Sequence, residues 1–530
     1  MLASAATLRA QAPTPGEVRA ERVLDAAKKA GNPELYALLK TMPKGADLHM
    51  HLAGAIYAET FIAEAVADGL CVAPVNPGKP AVPVGQNALQ LVAPPDGKSN
   101  DCGAGQVPAS EALKNLPLYD NLVDSLSMRA FVSTQGINGH DQFFATFPRF
   151  IALKDHTGEW LDEVATRAAA QNEQYLEIMH TPAFDRAIEL AHKINWPEGA
   201  ESSVTPSQLA QLRDKFIAAG LLEDVAVDRA EFSRALETRQ SIEHCMSPNR
   251  ASPACNVQIH FLYQVLRGNS PPSGDNSPQQ VFAQTLLGFE VANADPSVVG
   301  INFVMAEDGY MAMRDYHLQM QMLDYLHSVY PKVHITLHAG ELAPGMVPPA
   351  GLSFHIREAV NLGHAERIGH GVDVLYEDNP LRLLHEMAAR HIMVEVNLTS
   401  NDVILDVAGA DHPLHAYIAA HVPFALSTDD EGVSRIDLTH EYVKAADDQD
   451  LTYAELKQSA RASLEHSFLH GESLYSSPDD FTHRKPPCAA AIRPTSTPSP
   501  ACQKLLDANE KAAQQWELER RFAVYEALLR

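Results

Sequence analysis

Four short pieces of the chain carry residue types that could do chemistry together: Asp47-Leu48-His49-Met50-His51, His338-Ala339-Gly340-Glu341, Gly369-His370-Gly371 and Ser427-Thr428-Asp429-Asp430. Each ends an apolar, strand-like run. Side chains alternate along a strand with period two, so His49 and His51 leave the same face and can aim at one ion. A lone histidine in an apolar strand is more often structural, but the paired spacing and two further strand-end sites reverse that reading. His338 and Asp429 complete a set of three imidazoles and one carboxylate, which suits zinc and hydrolysis. Glu341, three residues beyond His338, is the candidate proton carrier. A carboxylate beside a cation normally has its pKa lowered, so acting as an acid requires a buried, partly apolar setting. His370 lies between two glycines that let substrate and backbone come close; it could orient or deprotonate the attacking water, and the plainer reading is a simple loop. Asp430 is expected on the other face or shoulder of the strand end, accepting a hydrogen bond from substrate.

These pieces need a scaffold. Apolar, β-branched runs recur at Ala46–Leu52, Gln174–His180, Val257–Val265, Val298–Val304, Val333–His338, Arg367–Val374, Ile392–Leu398 and Val422–Ser427. Segments of helical period separate most of them, Phe354–Leu362 and Asn379–Arg390 among them, and that alternation predicts a parallel sheet. Near-continuous apolar strands imply burial on both faces, and eight such units favour a closed α/β barrel, the (β/α)8 TIM barrel, over an open doubly wound sheet. No Gly-rich phosphate loop follows the first run. The functional pieces fall at the C-terminal ends of the runs, where barrel enzymes carry their chemistry. Gly69–Ser110 and Asp185–Asn256 read as insertions, and Gly471–Ala501 as a Pro/Ser/Thr-rich linker to a final helix, Lys504–Leu529, that packs back on the barrel. The expected division is a leading segment over 1–45, the barrel over 46–470, and linker plus helix over 471–530. Phe143, Phe144 and Phe147 could line a pocket, though a helix core stripe is the favoured reading.

Bulk properties bound the partners. The chain has 530 residues, 45% hydrophobic and 20% charged, as ordinary globular proteins do. Its net charge of −26 disfavours binding to a nucleic-acid polymer, which relies on clustered cations. No stretch approaches the ~20 apolar residues that span a bilayer. Met1 through Ala12 end in Ala10-Gln11-Ala12 before Pro13, like the tail of a secretory signal without its apolar core. The six cysteines form three local pairs, Cys71 with Cys102, Cys245 with Cys255 and Cys488 with Cys502. None sits in a strand-like run or makes a CxxC spacing, so they read as loop disulfides, which places the protein in the periplasm or outside the cell. The alternative is a cytoplasmic protein with six free thiols.

The segments MPKGADLHMHLAGA, HITLHAGE, AERIGHG and ALSTDDEG, in this order, resemble the adenosine deaminase family of the amidohydrolase superfamily, and LTYAELKQSARASLEHSFL resembles that family's late helix. The resemblance runs from about Pro43 to about Leu469. It implies a (β/α)8 barrel with one zinc per chain and hydrolytic attack at C6 of an adenine ring with loss of ammonia. Carried over by position, His49, His51, His338 and Asp429 hold zinc, with His51 also near substrate. Glu341 protonates ring nitrogen N1, His370 works on the attacking water, and Asp430 binds N7. Val299 through Asp308 resembles the family's fourth-strand signature, with Met305 where a glycine amide usually meets the purine. Its Glu-Asp ending, the insertions and the cysteines resemble the secreted, growth-factor-related branch. Ala53 stands where many members place an aspartate that holds the ribose 5′-hydroxyl. The expected reaction is deamination of adenosine or 2′-deoxyadenosine, and the expected partner a small purine nucleoside. Alternatives are deamination of adenine or a modified adenosine, a different amidohydrolase with two metals and a bridging lysine, or a non-catalytic extracellular purine-binding protein. The oligomeric state is not legible.

Overall fold

Eight parallel strands, Gly45–His51, Glu173–His180, Gln258–Leu266, Val298–Val304, His334–Ala339, Arg367–His370, Met393–Val396 and Phe424–Leu426, pair in chain order. The ring closes where Met50 meets Asp429 in a parallel bridge. There the His51 N–H donates to the Asp429 carbonyl at 3.1 Å and the Asp429 N–H to the His49 carbonyl at 2.8 Å. The architecture is therefore the expected (β/α)8 barrel, and each of the eight expected runs overlaps one of its strands. This computed structural model describes residues 13–75, 88–129, 131, 138–153, 156–268 and 277–529. Met1 through Ala12, with the export-signal reading, lie outside the described residues.

Near-continuous apolar sequence becomes two-sided burial: all seven residues of Val298–Val304 are buried, as are the first six of Gly45–His51. Helices cover the outside. Tyr453–Glu465 starts in a capping box between Thr452 and Glu455 and buries Leu456, Ala460 and Leu464. Its Ser459 and Ser463 hydroxyls accept from the backbone N–H groups of Leu426 (3.0 Å) and Ala46 (2.9 Å), so one helix buttresses both strands at the seam. Such helix-to-strand hydrogen bonds satisfy polar backbone that the barrel buries.

Between the first two strands the chain makes a long excursion. Helix Ala58–Ala67 leads to a small antiparallel sheet in which Cys71–Pro74 pairs with Leu89–Val92 and Val107–Pro108. Helices Leu116–Ser125 and Gly139–Phe150 follow. Gly139–Phe150 packs over the barrel mouth: a Cβ at Gly139 would meet the Val403 carbonyl at 1.7 Å, and His140 Nε2 lies 3.0 Å from Asp308 in the loop after the fourth strand. Phe143 is buried in the main core with Phe144 and Phe147 packed against it, so the three form a helix stripe. Asp185–Lys193, Pro206–Ala218 and Glu223–Ile242 fill the interval between the second and third strands.

All three cysteine pairs are closed, Cys71–Cys102, Cys245–Cys255 and Cys488–Cys502. The expectation that no cysteine sits in a strand is corrected: Cys71 opens the central strand of the small sheet. A run of only four residues with Pro74 inside carries too little alternation to be read as a strand. Cys502 lies in a helix, and the chain ends in two helices, Pro500–Ala508 and Glu510–Leu528, where one was expected. Asn509, with extended backbone at φ −141°, breaks them. The second half packs back as anticipated, with Leu518, Phe522 and Tyr525 in the main core. Among the described residues no helix is long and apolar enough to cross a membrane.

Candidate metal centre

Three imidazoles meet at the C-terminal mouth of the barrel, and their tautomers follow from what each Nδ1 touches. His49 Nδ1 lies 2.6 Å from Glu395 Oε2, His51 Nδ1 2.8 Å from Gln264 Oε1, and His338 Nδ1 3.0 Å from Asn302 Oδ1. The His338 backbone N–H donates to the same Asn302 atom at 3.1 Å, which fixes that atom as oxygen. All three partners are acceptors, so all three Nδ1 atoms carry the proton and all three Nε2 atoms are bare lone pairs. Those lone pairs converge. His338 Nε2 is 3.1 Å from His49 Nε2 and 3.2 Å from His51 Nε2, while Asp429 Oδ1 is 3.4 Å and 3.2 Å from the same two nitrogens.

Four acceptors facing one another in a buried space repel unless a cation sits between them. A tetrahedral zinc with ligands at about 2.0–2.1 Å would hold such atoms about 3.3–3.4 Å apart, close to the 3.1–3.4 Å of these four contacts. The donor set thus fits zinc. The outer partners also match what metal-binding histidines require, an oxygen acceptor on the far nitrogen. Glu395 is itself held: its other oxygen accepts from Arg367 Nε (2.6 Å) and the Thr336 hydroxyl (2.8 Å). Burial works against its charge, yet Arg367 and His49 hold its carboxyl down at about 2.

The strand ends bend sharply here. Met305 (φ +87°), His370 (φ +68°) and Asp429 (φ +61°) all take left-handed backbone, which costs a non-glycine residue roughly 1–3 kcal/mol and recurs at functional sites. Met305 therefore keeps a glycine-like conformation while adding a side chain. That side chain is 36% exposed and reaches over Gly268 at the end of the third strand, so it narrows the mouth on that side.

Glu341 is buried beside the imidazoles, with Oε1 3.7 Å from His370 Nδ1. Burial, reinforced by the charges of Asp429 and Glu307, pushes its carboxyl well above the usual range. The Glu341 and Gly340 N–H groups donate to the Glu307 carboxylate at 2.8 and 3.1 Å, which pins the turn after the fifth strand. Glu307 pairs with His355 at 2.5 Å and faces Arg267 at 3.8 Å. Although burial works against its charge, His355, Arg267 and the Glu341 N–H hold its carboxyl down at about 2.

His370 is fixed through a polar chain. The Leu414 N–H donates to His412 Nδ1 (3.2 Å), leaving His412 Nε2–H to donate to Asn401 Oδ1 (3.1 Å). Asn401 Nδ2–H then donates to His370 Nδ1 at 2.9 Å. Because Nδ1 accepts, the single proton of a neutral His370 sits on Nε2, an atom with no hydrogen-bond partner among the described residues. Burial pushes the ring's pKa down to about 3, so it is neutral. A neutral ring of that tautomer presents a donor to the site. This geometry favours orienting the water over deprotonating it.

Asp430 lies in one cluster with His51 and Asp429, not on a separate shoulder as expected. Its Oδ1 is buried without a hydrogen-bond partner among the described residues, and burial pushes its carboxyl well up. The space it occupies exists because residue 54 is glycine: a Cβ there would sit 1.5 Å from Asp430 Oδ1. Ala53, half-buried in the same turn, offers no acceptor.

Among the described residues no lysine stands at a strand's C-terminal end; Lys44, at the opposite end of the first strand, spends its ammonium on the Leu39, Met42 and Gln171 carbonyls at 2.7, 3.1 and 2.8 Å. Sequence reasoning missed Gln264, Arg267, Asn302, Glu307, Glu395, Asn401 and His412. A usable signal existed for four of them, since Gln264, Asn302 and Glu395 interrupt apolar strands and Glu307 ends the fourth-strand segment.

A family model described as adenosine deaminase matches residues 251–475. The adenosine deaminases of Escherichia coli O157:H7 and Escherichia coli O1:K1 / APEC are each 40% identical over 140 residues, which is 26% of this chain. The matched stretch spans 39% of each relative's own length. In fold, the chain is similar to the crystal structure of Arabidopsis ADAL complexed with GMP, at 18% identity and a TM-score of 0.50, covering 82% of this chain and 94% of that one.

Proposed function

We propose, from the premise that the chain belongs to the adenosine deaminase family, that it is a hydrolytic deaminase of an aminopurine nucleoside, with adenosine and 2′-deoxyadenosine as first substrates. The unit that acts is the barrel, residues 46–470, with one catalytic zinc on His49, His51, His338 and Asp429. The observation that carries this reading is the approach of His338 Nε2 and Asp429 Oδ1 to both His49 Nε2 and His51 Nε2, in four contacts of 3.1–3.4 Å, beside a buried Glu341 whose carboxyl is pushed toward the protonated form.

Zinc, when bound, supplies a Lewis acid that brings water's pKa toward neutrality. Everything else comes from this chain. The Glu341 carboxyl donates its proton to N1 of the purine, which draws electrons from C6. His370 Nε2–H donates to the oxygen of the attacking water and so turns a lone pair toward C6. Purine N7 is an acceptor, so Asp430 contacts it as the donor, and the burial that pushes its carboxyl upward supports that polarity. The sequence expectation of Asp430 as an acceptor is revised accordingly. As the C6–O bond forms and the C6–N bond breaks, one water proton goes to the amino nitrogen, which leaves as ammonia, and the other returns to the Glu341 carboxylate, leaving N1–H and the C6 carbonyl in the product. The complete set of proton-handling groups speaks against a purely binding role, and the absence of a strand-end lysine among the described residues against a bridged two-metal hydrolase.

The sugar end is less constrained. With Ala53 in place of a carboxylate, the 5′-hydroxyl loses an acceptor, so discrimination among purines that differ there is expected to be weak. Loss of absorbance near the adenosine maximum, followed across adenosine, 2′-deoxyadenosine, adenine and AMP with zinc-loaded protein, tests the reading. Turnover of at least one nucleoside is expected; none across the panel would defeat it.

Gly54 gives a second prediction. In Gly54→Ala the new methyl and Asp430 Oδ1 cannot coexist at 1.5 Å, so the carboxyl must move. Misplacement of a positioning group on the order of 1 Å can cost ~10²-fold. A comparable fall in kcat/KM with zinc content retained is expected, and wild-type kinetics in this variant would remove Asp430 from the substrate's contacts. The three closed disulfides further support export to an oxidising compartment, periplasmic or extracellular.

A further inference from the structure

At the floor of the barrel, opposite the metal centre, a second set of ligand-type side chains comes together from three distant stretches. His260 lies near the start of the third strand, His470 follows the helix Tyr453–Glu465, and Glu510 is the first residue of the last helix. Each offers one ligand atom, and the three atoms lie within 4.8 Å of one another. The two rings stand edge to face with centroids 5.6 Å apart.

The tautomers point the same way as at the catalytic end. Tyr175 has one hydroxyl proton and gives it to Glu177 Oε1 at 2.9 Å, so the tyrosine oxygen accepts from His260 Nδ1–H at 3.1 Å. His470 Nε2–H donates to the Pro296 carbonyl at 3.1 Å. Each ring thus has one nitrogen protonated and tied to an oxygen, and the other, His260 Nε2 or His470 Nδ1, left as a lone pair. That is the arrangement metal-binding histidines adopt. The site is also built rather than frayed. The Lys511 N–H donates to the His470 carbonyl at 3.2 Å, and the Glu472 N–H to Asn509 Oδ1 at 2.7 Å. Gly471, at φ +92°, lets the loop lie against Asn509, where a Cβ would come within 2.7 Å of its backbone.

We propose that His260, His470 and Glu510 form a second zinc site, with a fourth position open to water, that staples the C-terminal helix to the barrel floor. Two imidazoles and one carboxylate are a donor set zinc favours over magnesium or calcium, which prefer all-oxygen shells. No reacting group of the metal centre is involved, so the site is structural.

Equilibrium dialysis of the metal-stripped full chain against micromolar free zinc, with bound zinc counted by mass spectrometry, tests this. Wild type is expected to hold one zinc per chain more than His470→Ala and one more than Glu510→Gln. Added zinc is also expected to raise the melting temperature of wild type further than that of either variant. The difference is read whatever the catalytic centre binds, so its outcome is independent of the proposed activity. Equal zinc counts in wild type and both variants would overturn the proposal.

Discussion

Glu341→Gln is expected to keep its fold and its zinc while kcat falls by roughly 10²–10⁴-fold, the usual worth of a positioned general acid. The substitution removes the transferable acidic proton and changes the volume very little. Glu341 is not among the four atoms that converge on the cation position, so metal content should not follow activity down. Its surroundings explain why the acid is needed in protonated form: the side chain is buried, with Asp429 and Glu307 nearby, and both burial and those charges oppose ionisation. The backbone of the same turn is held by Glu307 and would be unaffected, since the bonds run from the Gly340 and Glu341 N–H groups. Parallel measurement of zinc content, melting temperature and kcat separates the outcomes. Undiminished turnover would refute the acid role, and zinc lost together with activity would make Glu341 a ligand.

Removing the metal should have the other large effect. Stripped of zinc by a chelator, the protein is expected to lose turnover entirely and to melt several degrees lower, with both restored when zinc is returned. The reason lies in the lone pairs. His338 Nε2 and Asp429 Oδ1 cannot each stay 3.1–3.4 Å from both His49 Nε2 and His51 Nε2 without a positive charge among them. The metal-free protein must take up protons there or let the strand ends separate. Binding to the folded state alone contributes about 4.1 kcal/mol when free zinc is about a thousandfold above Kd. Because Asp429 also carries the backbone bonds that close the barrel seam, loosening is expected first between the first and eighth strands. Scanning calorimetry with and without zinc reads the shift. Full activity in rigorously metal-free protein would contradict the site.

Much of this was legible in the sequence because the barrel writes itself in a simple code. Two-sided burial makes strands such as Val298–Val304 apolar but for Asn302, and chemistry at a barrel mouth must sit where such runs end. His49 and His51 were readable from period two alone. The groups that set their protonation were not. Glu395 acts on His49 from 346 positions away, and Asn401 on His370 from 31, so only the closed ring of strands brings them together. Asp430 was misplaced because strand alternation assigns neighbouring side chains to opposite faces, whereas Asp429 leaves the strand with φ +61° and swings the next residue back toward His51. Met305 illustrates the reverse case: its departure from glycine was visible in sequence, but its retained glycine-like backbone was not. The excursion between the first two strands shows a limit of another kind, since strands of two to four residues such as Val107–Pro108 and Cys71–Pro74 carry no readable period.

The proposed reaction adds water to a purine carbon at this mouth and releases its amino group. Zinc-loaded protein incubated with adenosine in heavy-oxygen water, with ammonia quantified and the nucleoside product weighed by mass spectrometry, addresses it directly. The account predicts inosine carrying one heavy oxygen at C6 and one ammonia released per product. Ammonia-free conversion to another product, a product without heavy oxygen, or no product from any purine nucleoside would contradict it.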